Sequence, residues 1–234
     1  MSDEDTAAEL RSFGRRRGRK PSPRQRHLAE SLLPQLSLDL TAAPPRPLGL
    51  LFSPQAGAPR EVWLEIGFGG GEHLVWQAAH NGAVGIIGCE PFLDGVMKLL
   101  SAVDEHKLAN VRVHADDARP LLRWLPDASI SRAFILFPDP WPKKRHLKRR
   151  LVSRPTLDLL ARVMAPGAEL RIATDIADYA RTILLAAANH PAFRWCAEGP
   201  RDWRERGLDW PGTRYEAKAV REGRRRYYFR FRRT

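Results

Sequence analysis

The chain has 234 residues and 43% hydrophobic content, enough for one core of moderate size, and its net charge of +12 predicts a polyanionic partner and salt-sensitive binding. No apolar run is long enough to span a bilayer and no basic helix carries a wide apolar face, so a membrane partner is excluded. The two cysteines, Cys89 and Cys196, lack metal or redox spacing, and MSDEDTAAEL lacks the apolar segment of a secretory signal, so a cytoplasmic protein with reduced thiols is expected.

Residues 1–26 read as a disordered basic tail. After a short acidic start, Arg11, Arg15, Arg16, Arg17, Arg19, Lys20, Arg24 and Arg26 follow with no acid among them, the composition of a phosphate-binding arm. Residues 27–60 form an irregular lead-in, rich in proline at Pro44, Pro45, Pro47, Pro54 and Pro59. The folded domain then runs over 61–234. Glu61 to Ile66 is a strand, Gly67-Phe68-Gly69-Gly70-Gly71 a turn, and Glu72 to Asn81 a helix. Glycines there let backbone approach a ligand, and the helix start offers free N–H groups. The register is not G-x-G-x-x-G, because the sixth position from Gly67 is Glu72 and from Gly69 is Leu74. The pattern E-x-G-x-G-x-G, with Glu65 two residues ahead of the first glycine, points instead to an S-adenosylmethionine site.

A second strand, Val84 to Cys89, ends at Glu90, an acid placed either to accept two ribose hydroxyls or to cap the next helix. Phe92, Val96, Leu99, Leu100 and Val103 stripe that helix. After Val111 to His114 come Asp116 and Asp117; Asp117 is the preferred partner for an adenine amino group, with Asp116 close behind, and either could be a helix N-cap. Ile130 to Phe137 is a strand that stops at Pro138-Asp139-Pro140-Trp141-Pro142 and runs into the basic segment Lys143 to Arg150. One acid beside a flat indole, with a dense cationic flank, suits a planar hydrogen-bonding group carried on a polyanion: chemistry on a nucleic-acid base. Trp141 could stack on a base or pack the loop. Leu157, Leu160, Ala161 and Met164 stripe a helix ended by Pro166-Gly167, and Ala168 to Ala173 is a fifth strand leading to Asp175, a good N-cap for the helix after it. Phe193 to Ala197 is a sixth strand, Glu198 to Gly212 a polar loop over the site, Thr213 to Glu216 a capping box, and Tyr227 to Arg232 a final alternating strand. Strands interleaved with helices give an α/β fold, a mainly parallel sheet with helices on both faces. His27, His73 and His106 read as ordinary surface or helix residues, and no metal is implied.

LEIGFGGG at 64–71, FPDPWPKKRHLKRR at 137–150, ATD at 173–175 and TRYE at 213–216 fall in one order. In these four motifs the chain resembles the bacterial tRNA (guanine-N7-)-methyltransferases, class I enzymes with a Rossmann-like, seven-stranded sheet. The resemblance implies S-adenosylmethionine as cofactor, tRNA as substrate with the variable-loop guanine methylated, and no obligatory protein partner. It implies that Glu65, Gly67, Gly69, Gly71, Glu90, Asp117 and Asp139 meet the cofactor or its neighbourhood, with Asp139 the active-site acid. It assigns Lys143, Asp175, Thr213, Arg214, Tyr215 and Glu216 to the substrate, and Arg145, His146, Lys148, Arg149 and Arg150 to RNA. Competing readings are a nicotinamide oxidoreductase, disfavoured by the glycine register and the basic tail, and a non-catalytic RNA-binding module, which leaves the acids at strand ends without purpose. An amino-methyltransferase acting on adenine N6, with a similar D-P-P-[YW] loop, is closer.

Overall fold

The computed structural model describes residues 18, 20–52 and 57–234. Seven strands, Glu61–Ile66 (β1), Val84–Cys89 (β2), Val111–His114 (β3), Ile130–Leu136 (β4), Met164–Thr174 (β5), Phe193–Trp195 (β6) and Tyr227–Arg233 (β7), form one sheet in the order β3-β2-β1-β4-β5-β7-β6. β1 to β5 pair in parallel, and β7 runs antiparallel to both its neighbours. Parallel strands buried on both faces need near-continuous apolar runs, which β1 and β2 supply: each exposes only its first residue to any extent.

Helices cover both faces. Glu72–His80 (α3) and Leu93–His106 (α4) pack one side, where Leu74, Leu99, Leu100 and Phe134 are buried. Ala118–Trp124 (α5), Arg154–Val163 (α6) and Ala177–Ala188 (α7) pack the other, over Leu64, Leu121, Leu160 and Ile183. Each such leucine, fully withdrawn from water, contributes roughly 1.5–3 kcal/mol. Two N-terminal helices, Pro23–Ser31 (α1) and Leu33–Leu36 (α2), precede the sheet, and between β6 and β7 lie a short helix, Arg201–Arg204 (α8), and a longer one, Arg214–Arg221 (α9).

Several boundaries differ from the sequence expectation. The expected tail at 1–26 lies mostly outside the described residues, but its last part is ordered. Ser22 caps α1 in a capping box with Gln25, Arg24 pairs with Asp104 on α4 at 2.9 Å, and Leu28 is buried. The lead-in at 27–60 therefore begins as two helices. It then follows the sheet edge, where Leu38 N donates to Val113 O at 3.1 Å. Met164, expected on a helix, starts β5, since α6 ends at Val163. Asp175 is not an N-cap: Ile176 holds that position before α7. Among the described residues no helix is long and apolar enough to cross a membrane.

Candidate active site

The crossovers leaving β1 and β4 diverge to opposite sides of the sheet, and open α/β sheets leave a crevice beyond the carboxyl ends of strands at such a point. A cavity of about 300 Å³ opens there. Its lining comes from four strand ends and two later segments: Gly67 and Gly69 after β1, Glu90 and Phe92 after β2, Asp117 and Arg119 after β3, Asp139 and Trp141 after β4, then Arg149 and Tyr215. Glu65, Gly71, Lys143, Asp175, Thr213, Arg214 and Glu216 do not line it.

The glycine turn needs its glycines for different reasons. Gly67, Gly69 and Gly71 have φ of 77°, 57° and 83°, a left-handed region that costs an L side chain roughly 1–2 kcal/mol. A Cβ on Gly67 would meet nothing within 4 Å, so that backbone faces open space in the cavity. A Cβ on Gly69 would sit 3.0 Å from Tyr215 Cε2, and one on Gly71 equally close to Leu99 Cδ1. Gly71 thus serves packing of the turn on α4.

Glu90 is 8% exposed and both its oxygens are held by backbone: Gly69 N donates to Oε2 at 2.8 Å and Phe92 N to Oε1 at 2.9 Å. Burial pushes its carboxyl above the usual value, partly offset by these two donors; Asp139 adds to the rise and Arg214 opposes it. The acid therefore fixes the turn geometry and keeps further lone pairs for a ligand. Asp117 caps α5, accepting Arg119 N at 2.8 Å on Oδ1 and pairing with the Arg119 guanidinium at 2.7 Å on Oδ2. Asp116 does not line the cavity, and its Oδ1 accepts Asp117 N at 2.8 Å.

Asp139 stands at the mouth. Phe137 N continues the ladder by donating to Ala173 O at 2.8 Å, and the chain then breaks away with positive φ at Phe137 (51°) and Trp141 (41°). Both are non-glycine residues, so backbone strain brackets the acid on each side. Asp139 is solvent-accessible and has no hydrogen-bond or ion-pair partner among the described residues. Crowding by the surrounding loop desolvates it enough to raise its carboxyl above the usual range.

The basic flank follows as a 3-10 helix, Lys144–Arg149. Lys143, Arg145 and Lys148 are exposed; the Arg149 guanidinium lies over the Trp141 ring at 5.1 Å, and His146 meets that ring edge-on at 5.8 Å. Arg150, expected to meet RNA, is a correction. It is 4% exposed and donates to Pro140 O at 2.9 Å, to Thr182 Oγ1 at 2.8 Å and to Asp178 at 2.5 Å, while stacking over Tyr179. Each of its three nitrogens donates one bond within the fold, which ties the proline loop to α7.

α9 closes the other side. Thr213 caps it by accepting Glu216 N at 3.2 Å, but the reciprocal arm of the expected capping box is missing. The Glu216 carboxylate instead accepts from Tyr228 OH at 2.7 Å and Arg206 Nε at 3.1 Å. Arg214 reaches Glu72 at 3.5 Å across the glycine turn, and Tyr215, 44% exposed, projects into the cavity. Asp175 pairs with Arg224 at 2.6 Å.

Glu65 lies behind the turn, 2% exposed, with Oε2 2.7 Å from His73 Nδ1. His73, read from sequence as an ordinary helix residue, is 1% exposed. The signal was there: His73 and Gln77 form a polar i, i+4 pair beside the apolar Leu74 and Ala78. Among the described residues, no group of three or more His, Cys, Asp or Glu gathers in an arrangement that could hold a metal ion.

A family model described as a putative methyltransferase matches residues 59–229. The chain is 50% identical over 220 residues to the tRNA (guanine-N(7)-)-methyltransferase of Chelativorans sp. (strain BNC1), covering 94% of this chain and 93% of that one. It is 51% identical over 219 residues to the protein of the same name from Mesorhizobium japonicum, with the same two coverages. In fold it is similar to TrmN from Thermus thermophilus, at a TM-score of 0.52 and 19% identity over 80% of this chain and 48% of that one.

Proposed function

Since the chain belongs to the tRNA (guanine-N7-)-methyltransferase family of S-adenosylmethionine-dependent enzymes, we propose that its cavity joins that cofactor to the variable-loop guanine of a cytoplasmic tRNA and methylates N7. The observation that carries this reading is the meeting of Glu90, Asp117 and Asp139, from three separate strand ends, around the glycine turn. The residues fit the cofactor. The volume, about 300 Å³, lies at the lower end of ordinary ligand sites. Gly67 and Gly69 leave a backbone cradle, Glu90 can accept ribose hydroxyls, and Asp117 can accept the adenine amino group. When bound, S-adenosylmethionine supplies a methyl group activated by its sulfonium charge.

Guanine N7 carries a free lone pair in the neutral base, so no strong base is required. Positioning then accounts for much of the acceleration, and good orientation is worth up to roughly 7–11 kcal/mol. Asp139, at the mouth and without a hydrogen-bond partner among the described residues, does one or both of two things: it accepts from guanine N1–H and the 2-amino group, or in its ionised form offsets the positive charge that develops on the ring. Trp141 offers a stacking surface, a contact worth about 1–3 kcal/mol in single-strand binding. Lys143 and Asp175, with Thr213 to Glu216, meet the nucleotide around the target base. Arg145, His146, Lys148 and Arg149 hold the RNA backbone, which requires the guanine to be unstacked toward the cavity.

Mapping tests the reading. Unmodified tRNA incubated with the protein and methyl-labelled cofactor, then digested, yields 7-methylguanosine from the variable loop. Methyladenosine, or 7-methylguanosine from elsewhere in the tRNA, contradicts it.

A further inference from the structure

Behind the cavity the fold buries a polar chain that the chemistry above leaves unused. Glu65, His73 and Gln77 are 2%, 1% and 2% exposed. His73 Nδ1 lies 2.7 Å from Glu65 Oε2, and its Nε2 lies 3.1 Å from Gln77 Nε2. The same Gln77 nitrogen donates to the Asp209 carbonyl at 2.9 Å, while the Gln77 oxygen accepts from Asn81 Nδ2 at 3.1 Å. Both ends of the Gln77 amide are thus assigned by their partners, and its nitrogen is the atom that faces His73.

That assignment fixes the proton on the ring. An amide nitrogen only donates, so His73 Nε2 must accept, and the single ring proton sits on Nδ1, where it donates to Glu65. An imidazolium, or the other tautomer, would set two donors face to face in a dry interior and leave a buried polar group unsatisfied. Phe134 and Trp210 meet the His73 ring edge-on, with centroids 4.6 and 6.4 Å away, and hold its plane. Glu65 Oε2 is therefore committed to the interior, while Oε1 has no hydrogen-bond partner among the described residues and the next two residues, Ile66 and Gly67, line the cavity.

We propose that His73 is a positioning residue for the cofactor: locked by Gln77 as the Nδ1–H tautomer, it holds Glu65 so that the free carboxylate oxygen meets the cationic amino group at the methionine end. This rests on the reading of Glu65 as a cofactor ligand. A carboxylate with one oxygen tethered has no rotamer freedom left to lose on binding, which is the physical content of preorganisation. The tether is itself anchored at a distance, because the Gln77 nitrogen also holds the Asp209 carbonyl next to the buried Trp210.

Two ligands separate positioning from general loosening: S-adenosylhomocysteine, which has the amino-acid end, and 5′-methylthioadenosine, which lacks it. Both are titrated into the full chain and into His73→Leu, Gln77→Met and Glu65→Gln. His73→Leu should weaken S-adenosylhomocysteine about tenfold while leaving 5′-methylthioadenosine within about twofold. Gln77→Met frees the tautomer but keeps the Glu65–His73 contact, so its selective loss should be about threefold; it carries the test if His73→Leu does not fold. Equal weakening of both ligands, or of neither, in these two variants overturns the positioning role. Glu65→Gln reports on the premise. If it selectively weakens S-adenosylhomocysteine while the His73 and Gln77 variants do not, Glu65 is a ligand that needs no positioner; if it is not selective, the reading of Glu65 itself fails.

Discussion

At the scale of single residues, the acids of the site are in different electrostatic states before any ligand arrives. Glu90 has each oxygen held by a backbone donor, whereas Asp139 has none among the described residues. Desolvation raises the Asp139 carboxyl, and the sign of its effect on activity follows. If the ionised form acts, methyl transfer is full at neutral pH and falls as pH drops through a value above the ordinary carboxylate range. Asp139→Asn should lower kcat by about 10²–10³-fold and remove that acid limb from the residual kcat/KM profile. A variant with near-normal turnover, or with the limb unchanged, contradicts the assignment. For stability the sign is opposite. The folded chain binds this proton more tightly than the unfolded chain, so the Asp139 carboxyl favours folding below its raised pKa, and that contribution is lost as pH rises through it.

At the scale of elements, the loop after β4 is held in place by a cation that sequence spacing cannot tell from its neighbours. In the run from Lys143 to Arg150, only burial distinguishes the last residue, and burial depends on α7, whose Asp178 and Thr182 lie about thirty residues on. The same contact places Arg150 over Tyr179, whose hydroxyl accepts Val152 N and whose pKa is pushed up to about 12, chiefly by burial. Arg150→Met should cost about 1–3 kcal/mol in denaturant unfolding and slow methyl transfer, while leaving the salt dependence of tRNA binding unchanged. Arg145→Ala should do the reverse, keeping stability and lowering the salt slope by about 0.7–0.9. A flattened slope in Arg150→Met would return that residue to the RNA surface. The half-made capping box of α9 has a similar origin: Thr213 and Glu216 have the right spacing, but Tyr228 on β7 competes for the glutamate. Local patterns announce local bonds, and a long-range partner can take them over.

At the scale of the whole molecule, most of the sheet was legible because parallel core strands are apolar runs bounded by glycine, proline and acids. β2 and β3 have the residues read from sequence, and Glu90, Asp117 and Asp139 line one cavity, whereas Glu65 and Asp175 do not. The His73–Gln77 spacing marked a polar pair on the buried side of α3, but the partner was not legible, since nothing local ties a histidine at the second position of a helix to the carboxylate of Glu65 on β1. The start of α1 was hidden too, because Pro23 and the arginines near it share the composition of the tail before them. Charge at this scale also has a partner. Removing residues 1–17, which takes away Arg11, Arg15, Arg16 and Arg17 but spares α1, should weaken tRNA binding and lower its salt slope by up to about 3. An unchanged slope would show that the arm serves solubility alone.

Glu90, Asp117 and Asp139, distant in sequence, line one cavity beyond β1 and β4, where the proposed function seats a single nucleoside. A crystal structure of the full chain with S-adenosylhomocysteine tests it most directly. The ribose hydroxyls are expected within hydrogen-bond reach of Glu90, the adenine amino group at Asp117, and the sulfur facing Asp139 across open space for a base. A nucleoside bound with neither Glu90 nor Asp117 in reach, or seated away from the glycine turn, would contradict it.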